Sequence, residues 1–467
     1  MAAHIRLISF TFCPLAVVAC VSGRAGNADP KGSPPDVPAI YADKADHLWN
    51  RLHGTLLVRT GPDGKNYGAD RLEPLLWKDS VHLLQGESAE RAVAVLEEFE
   101  RESGEKLIDD PMKRAILQRD LWLVSSWLSA KPDSEARWRL EKTLDNVIRR
   151  LALTPPQIAK LPDNYAQAVT SKKYADRFDP QNPEQAYLPA DLFDGAGPWV
   201  CVGPANGPSA PFHLDDRGTN PFANSVFFVF LKLPGGREKT LDFLKQLASL
   251  DNPLVPNTDE TTKHAASFLP QTNFPVWPKG TEVALVRRAL LIDVNRRIAA
   301  SPLTEGVQIR VVTTDTPALT KDVLAKASSR RPPSGWQASF EFQLRRIDLF
   351  ADTAGGLRDV SGERDFKTGF NSHPWDEFDQ TSREGTFPER SMPFETNRAS
   401  CTVCHNYPGA YSFNSVPGFA FGGFVPVNDS SPQKPLGPTT VAAVEKQAIE
   451  WKEERPAWTA FVKRSGQ

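Results

Sequence analysis

Cys401-Thr402-Val403-Cys404-His405 places two thiols three positions apart, with an imidazole directly after the second. Thiols at that spacing can add to the two vinyl groups along one edge of a porphyrin. The adjacent histidine is then held beneath the iron as its proximal ligand. This is the attachment signature of c-type haem. With 5 cysteines and 8 histidines in 467 residues, chance supplies it in roughly one chain in a thousand. Cys401, Cys404 and His405 are the expected haem-binding residues, and one covalent haem c per chain is the expected cofactor.

The second axial position of the iron is open to several side chains. The chain has 3 methionines and none follows His405. Met392, in Ser391-Met392-Pro393-Phe394, is the sulfur nearest in sequence, and Met112 is a remote one. His373, before Pro374, leads the nitrogen candidates, with His213 behind it. A vacant or water-bound iron is the third possibility. Arg398 is a candidate partner for a haem propionate through its bidentate fork. Tyr407, Tyr411, Phe413, Phe419, Phe421 and Phe424 could wall a porphyrin, although an irregular segment needs aromatic core in any case.

Rival uses of Cys401 and Cys404 are weaker. A zinc site needs two further ligands at finger spacing, and the one spare thiol is Cys201. A redox dithiol should open a helix, whereas Pro408 and Gly409 follow too soon. Cys201 lies in the apolar run Trp199-Val200-Cys201-Val202 and reads as a small buried hydrophobe. No P-loop, G-x-G-x-x-G or G-x-S-x-G is present. The adjacent acid pairs Asp109-Asp110, Asp215-Asp216 and Glu453-Glu454 point apart and do not suit paired-carboxylate hydrolysis.

The first twenty residues read as an export signal: a weakly basic start at His4 and Arg6, then an apolar run from Leu7 to Ala19 too short to span a bilayer. The run ends Val17-Val18-Ala19-Cys20, the form of a lipoprotein cleavage site, so Cys20 is the expected lipidation residue. Ordinary cleavage near Gly26-Asn27-Ala28 is the alternative. Either route leads out of the cytoplasm, to the periplasm or outer cell envelope, where c-type haem is attached. The membrane would be reached through a lipid anchor only. Mean hydropathy of -0.39 excludes a polytopic membrane protein. Net charge of -2 from 55 basic and 57 acidic residues, well mixed, gives no support to a nucleic-acid partner. The redox partner is unknown.

Patterning divides the chain after that signal into a Gly/Ser/Pro linker over 21–40, a helical domain over 41–189, a β-rich domain over 190–350 and an irregular haem segment over 351–467. Ser88 is the expected cap of one helix, Pro111 starts a second, and Leu140 to Leu151 gives a third. Leu56 to Thr60 reads as a short strand ahead of the Gly61–Gly64 turn. Val226 to Leu231 is apolar throughout and reads as a buried strand, followed by a helix from Glu238 to Leu250. Val283 to Ile292, Val307 to Val312 and Ala338 to Leu349 are further strands, the last with a bulge at Arg345-Arg346 where its apolar parity switches. A helix is expected from Thr440 to Glu454. The fold class is therefore α+β multidomain: a helical bundle, an antiparallel sandwich-like β region and a haem-bearing tail.

Over roughly the last hundred residues the pentapeptide and its export context resemble a monohaem c-type cytochrome. The segments upstream are similar to large exported bacterial proteins and imply no activity. The resemblance implies one-electron transfer or redox sensing. A haem enzyme with an open iron, acting on peroxide or a small gas, is the first alternative. An envelope ligand-binding protein with an accessory haem is the second.

Overall fold

The computed structural model describes residues 39–60, 66–71, 82–205, 207–210, 214, 224–250, 254–256, 258, 268–270, 275–315, 337–363 and 436–465. All belong to one compact unit, Pro35–Gln467. Helix α1 (Leu48–Leu57) starts where His47 Nδ1 accepts from the Trp49 amide at 3.2 Å. It buries Leu48, Trp49, Leu52 and Leu56. The expected strand from Leu56 shrinks to β1 (Arg59–Thr60), paired with β2 (Asn66–Tyr67). Leu56 lies one helical turn past Leu52, so the core claims it for α1. Helix α2 (Gly86–Arg101) also starts earlier than Ser88. Gly86 takes a left-handed φ of 64°, which turns the chain into the helix two residues ahead of the expected cap.

Helix α3 (Pro111–Ser129) begins as its sequence implies. The Asp110 carboxylate accepts from the amides of Met112 at 2.8 Å and Lys113 at 3.1 Å, and Pro111 occupies the position whose N–H has no helical partner anyway. Helix α4 (Glu135–Leu151) is capped by Ser134. Short helices α5 (Pro155–Ala159) and α6 (Asn164–Thr170) follow. Helix α3 is buried nearly all round, the pattern of a central helix. It packs on α4 on one side and on the sheet on the other.

The sheet is formed by β3 (Val200–Gly203), β4 (Ser225–Lys232), β7 (Glu282–Ile292), β8 (Ile298–Val312), β9 (Gln337–Leu344), β10 (Leu357–Asp359) and β11 (Gly437–Pro438). Its order is β10-β9-β8-β7-β4-β3-β11, antiparallel throughout. Helix α7 (Arg237–Ala248) follows β4, and β5 (Leu254–Pro256) pairs with β6 (Phe268–Pro270) as a separate ribbon. Strand β4 matches the expected buried run because both its faces are covered. Val226, Phe228 and Phe230 join the helical core, while Val229 and Leu231 lie with Val200, Val202, Val283 and Val312 beneath α7. Each large apolar side chain so buried contributes about 1.5–3 kcal/mol.

Two sequence expectations change form. The described strands form one seven-stranded sheet and two two-stranded ribbons, where a sandwich would be built of two large sheets. The apolar parity switch after Leu344 is the end of β9, not a bulge within a longer strand. Helix α8 (Arg346–Phe350) begins there, buries Leu349 and leaves Ile347 half exposed. The change of secondary structure near residue 190 is real, yet one hydrophobic core runs across it. Leu117, Leu144 and Ile148 of the helices share that core with Phe228, Ile309 and Phe342 of the sheet.

Helix α9 (Val441–Glu453), capped by Thr440, and α10 (Pro456–Ser465) return to the helical layer. Trp458 meets Trp122 edge-on at 5.8 Å. Among the described residues no helix is long and apolar enough to cross a membrane.

Candidate functional site

Cys20, Met392, Cys401, Cys404 and His405 lie outside the described residues, as do His213, His373, Arg398 and the aromatic residues from Tyr407 to Phe424. Other candidates can be placed. Met112 sits in the first turn of α3, packed against the core. Cys201 is buried on β3 opposite Phe230, and burial pushes its thiol up to about 12. His47 caps α1, and His53 is fully enclosed beside Tyr41. Burial, reinforced by the Arg346 charge, holds the His53 imidazole well below its usual range and hence neutral. Both histidines are committed to the helical layer. Among the described residues no group of three or more His, Cys, Asp or Glu side chains could hold a metal ion.

What the structure does assemble is a buried ionic chain through the middle of the molecule. It begins at an irregularity in the β7–β8 ladder. Arg287 pairs with Gly306, but Arg288 pairs with Thr304 and Leu290 with Ala300, so β8 carries extra residues at Glu305 and around Pro302. A bulge re-aims the side chain of its extra residue and accommodates a proline that cannot donate to the ladder. Glu305 is thereby turned into the interior, with no exposed surface.

Both oxygens of Glu305 are taken. Oε1 accepts from Arg119 Nε at 2.5 Å, and Oε2 accepts from Ser225 Oγ at 2.6 Å and lies 3.3 Å from Arg287 Nε. Next to Glu305, a Cβ on Gly306 would press the neighbouring strand, standing 3.3 Å from Phe342 O. Arg119 also reaches Asp120 Oδ1 at 3.0 Å. Asp120 Oδ2 in turn accepts from Arg346 Nη2 at 2.6 Å and Nε at 3.2 Å. Arg346 Nη1 then gathers the carbonyls of Arg71 at 2.6 Å and of Gly68 and Asp70 at 3.2 Å.

The electrostatics follow from this order. Burial alone would push the Glu305 carboxyl up, but Arg119 and Arg287 outweigh it and hold it below the usual carboxylate range. Burial lowers Arg287 to about 10 against the opposing pull of Glu305. Burial also opposes charge on Arg119 and Arg346, but their carboxylate neighbours raise both. The Tyr41 hydroxyl, beside Arg346, is raised by burial and stays protonated. Three guanidiniums thus alternate with two carboxylates. Every carboxylate oxygen is engaged by cations or hydroxyls, so the arrangement fastens α3, α8 and the sheet together.

Sequence reasoning did not find this network. Its members are scattered at 119, 120, 287, 305 and 346. The legible signal was Gln118-Arg119-Asp120 inside a helix that is apolar on both flanks, since buried charge must be paired. Gln118 is a further tie, donating to Ile148 O at 3.1 Å and Ile292 O at 2.8 Å.

A second ionic cluster secures the C-terminal helix. Asp145 accepts from Ser125 Oγ at 2.9 Å and from Arg464 Nε at 2.7 Å. Glu141 lies 3.5 Å from Arg464 Nη1 and 3.2 Å from Arg137 Nε. Burial pushes the Asp145 carboxyl up to about 6 despite Arg464.

No protein-family model, curated protein or solved structure matches this chain.

Proposed function

We propose that this chain is an exported, cytochrome-like protein of the cell envelope that carries one covalent haem c and transfers or senses single electrons. The observation that carries the reading is Cys401-Thr402-Val403-Cys404-His405, supported by a first twenty residues that read as an export signal. Cys401 and Cys404 would make the thioethers, His405 the proximal bond, and Met392 or His373 the distal one. Cys20 would carry the lipid that retains the protein at the membrane surface. When bound, the haem supplies the one-electron couple. The scaffold adds one supporting fact: the Cys201 thiol is buried and shifted up, which makes it a poor competitor for haem attachment.

A second reading has its own observation. The sequence holds 3 methionines and none among residues 406–467, and this reading has a five-coordinate iron open to peroxide or a small gas. An optical spectrum of the holoprotein separates the two. Electron transfer predicts a low-spin, six-coordinate ferric haem whose distal bond is lost in Met392→Ala or in a His373 variant. A high-spin ferric spectrum that shifts on adding cyanide contradicts it and favours the enzyme.

A further inference from the structure

Helix α1 carries, in the middle of its buried face, a side chain whose charge ordinarily changes near neutral pH. His53 has no exposed surface. Tyr41, in the segment that leads into α1, meets its imidazole edge-on at 5.3 Å, and the same tyrosine ring lies 5.3 Å from Phe350 of α8. The ring of His53 thus sits where α1, its entry segment and α8 come together.

The groups around this junction are set against a positive ring. Arg346 of α8 faces it, so a protonated imidazole would stand beside a guanidinium. Asp120 of α3 is already committed, Oδ2 to Arg346 at 2.6 Å and Oδ1 to Arg119 at 3.0 Å. Lys113 of α3 adds another cation, donating to Tyr41 O at 2.8 Å and lying 5.4 Å from the Phe350 ring. On α1 itself Arg51 is paired with Glu98 of α2. The Gly68 carbonyl faces the ring and would favour its charge, but it accepts from Arg346 Nη1 at 3.2 Å.

Burial first, then Arg346, therefore keeps the enclosed ring neutral, whereas a ring in water takes a proton near about 6.5. Acid then favours whichever state lets His53 reach water. The first strand of the seven-stranded sheet starts at Val200, so α1 can leave without breaking a ladder hydrogen bond of that sheet.

We propose that His53 is an acid-sensitive latch: protonation of its ring releases residues 39–60 from the core while the seven-stranded sheet stays folded. Release uncovers Phe99 and Phe350, against which Trp49 and Tyr41 pack. His47, whose Nδ1 caps α1, is also lowered by burial and loosens the same helix in acid, so variants at His53 are needed to separate the two. The inference does not depend on the haem assignment.

Native-state hydrogen exchange of the full chain, read by mass spectrometry and corrected for intrinsic rates, gives the opening constants of Leu48–Leu57 and of Glu282–Ile292. With an open-state value of about 6.5 for the imidazole, the α1 opening constant should rise at least ten-fold between pH 7 and pH 5, and that of Glu282–Ile292 should not follow. His53→Gln and His53→Leu, neutral at both pH values, should lose that rise. A smaller rise in wild type, a rise of the same size in either variant, or an equal rise in Glu282–Ile292 overturns the latch. Proton NMR of the wild type keeps the test sound if neither variant folds: the His53 ring should show no titration from pH 7 to pH 5.5, and a midpoint near 6.5 overturns the proposal.

Discussion

Removing the charge of Glu305 should destabilise the whole molecule, because this carboxylate lies between Arg119 and Arg287 with no exposed surface. Glu305→Gln keeps the shape and one acceptor but leaves two guanidiniums facing a neutral group. Breaking a buried pair from one side costs about 3–5 kcal/mol, mostly the penalty of the cation left behind. With unfolding entropy of about 2.1 cal/mol/K per residue, a unit the size of Pro35–Gln467 loses roughly 1 °C of Tm per kcal/mol. The expected fall is therefore roughly 3–5 °C by calorimetry, with a matching loss in urea unfolding. The pH dependence has a definite sign. A carboxyl held below its unfolded value, about 4.3, contributes stability that is present above that pH and lost as pH falls through the folded value. The gap between wild type and Glu305→Gln should therefore close in acid. Arg119→Met combined with Glu305→Gln should cost at least about 1 kcal/mol less than the two single changes added together. A Glu305→Gln variant within about 0.5 kcal/mol of wild type at neutral pH, or strict additivity with Arg119→Met, refutes the network as described.

Asp145 has the opposite sign: raised to about 6, it contributes stability fully present below its unfolded value and lost as pH rises through about 6. Relative to Asp145→Asn, wild type should lose about 2 kcal/mol between pH 4 and pH 7 in urea unfolding, and a pH-independent difference contradicts this. Gly355 has a left-handed φ of 60° and its added Cβ would stand 1.9 Å from Asn164 O, so Gly355→Ala should cost about 2–4 kcal/mol; an unchanged melting temperature would show that α6 yields freely. The buried Cys201 thiol should resist iodoacetamide at pH 8 in the folded protein and react on unfolding, and rapid labelling of the native state contradicts its burial.

Elements whose burial is complete were legible from composition alone. Val226 to Leu231 is apolar on both parities because α7 covers one face of β4 and the helical layer the other. Phe340, Phe342 and Leu344 gave away β9 by alternation, and Pro111 and Thr440 marked their helix starts. The first half of β8 was not legible. Ala299, Ala300, Ser301, Pro302 and Thr304 are small, polar or unable to donate, and they form a strand because the bulge and the β7 partner hold them. Arg345 to Leu349 was misread because five residues are too few to tell a helical turn from a strand with shifted parity. Of the ionic chain only Gln118-Arg119-Asp120 leaves a mark in the sequence, because tertiary pairing alone brings Arg119, Asp120, Glu305 and Arg346 together. Cys401-Thr402-Val403-Cys404-His405 is the reverse case, a pattern carried by spacing alone in residues that lie outside the described ones.

Covalent haem is the claim on which the functional reading depends. The full chain, expressed with cytochrome c maturation machinery, should show an intact mass one haem above the processed polypeptide, unchanged by acid-acetone extraction. The Cys401→Ala/Cys404→Ala variant should lose that mass. Haem that extracts freely from the wild type, or a wild-type mass equal to the bare polypeptide, contradicts it.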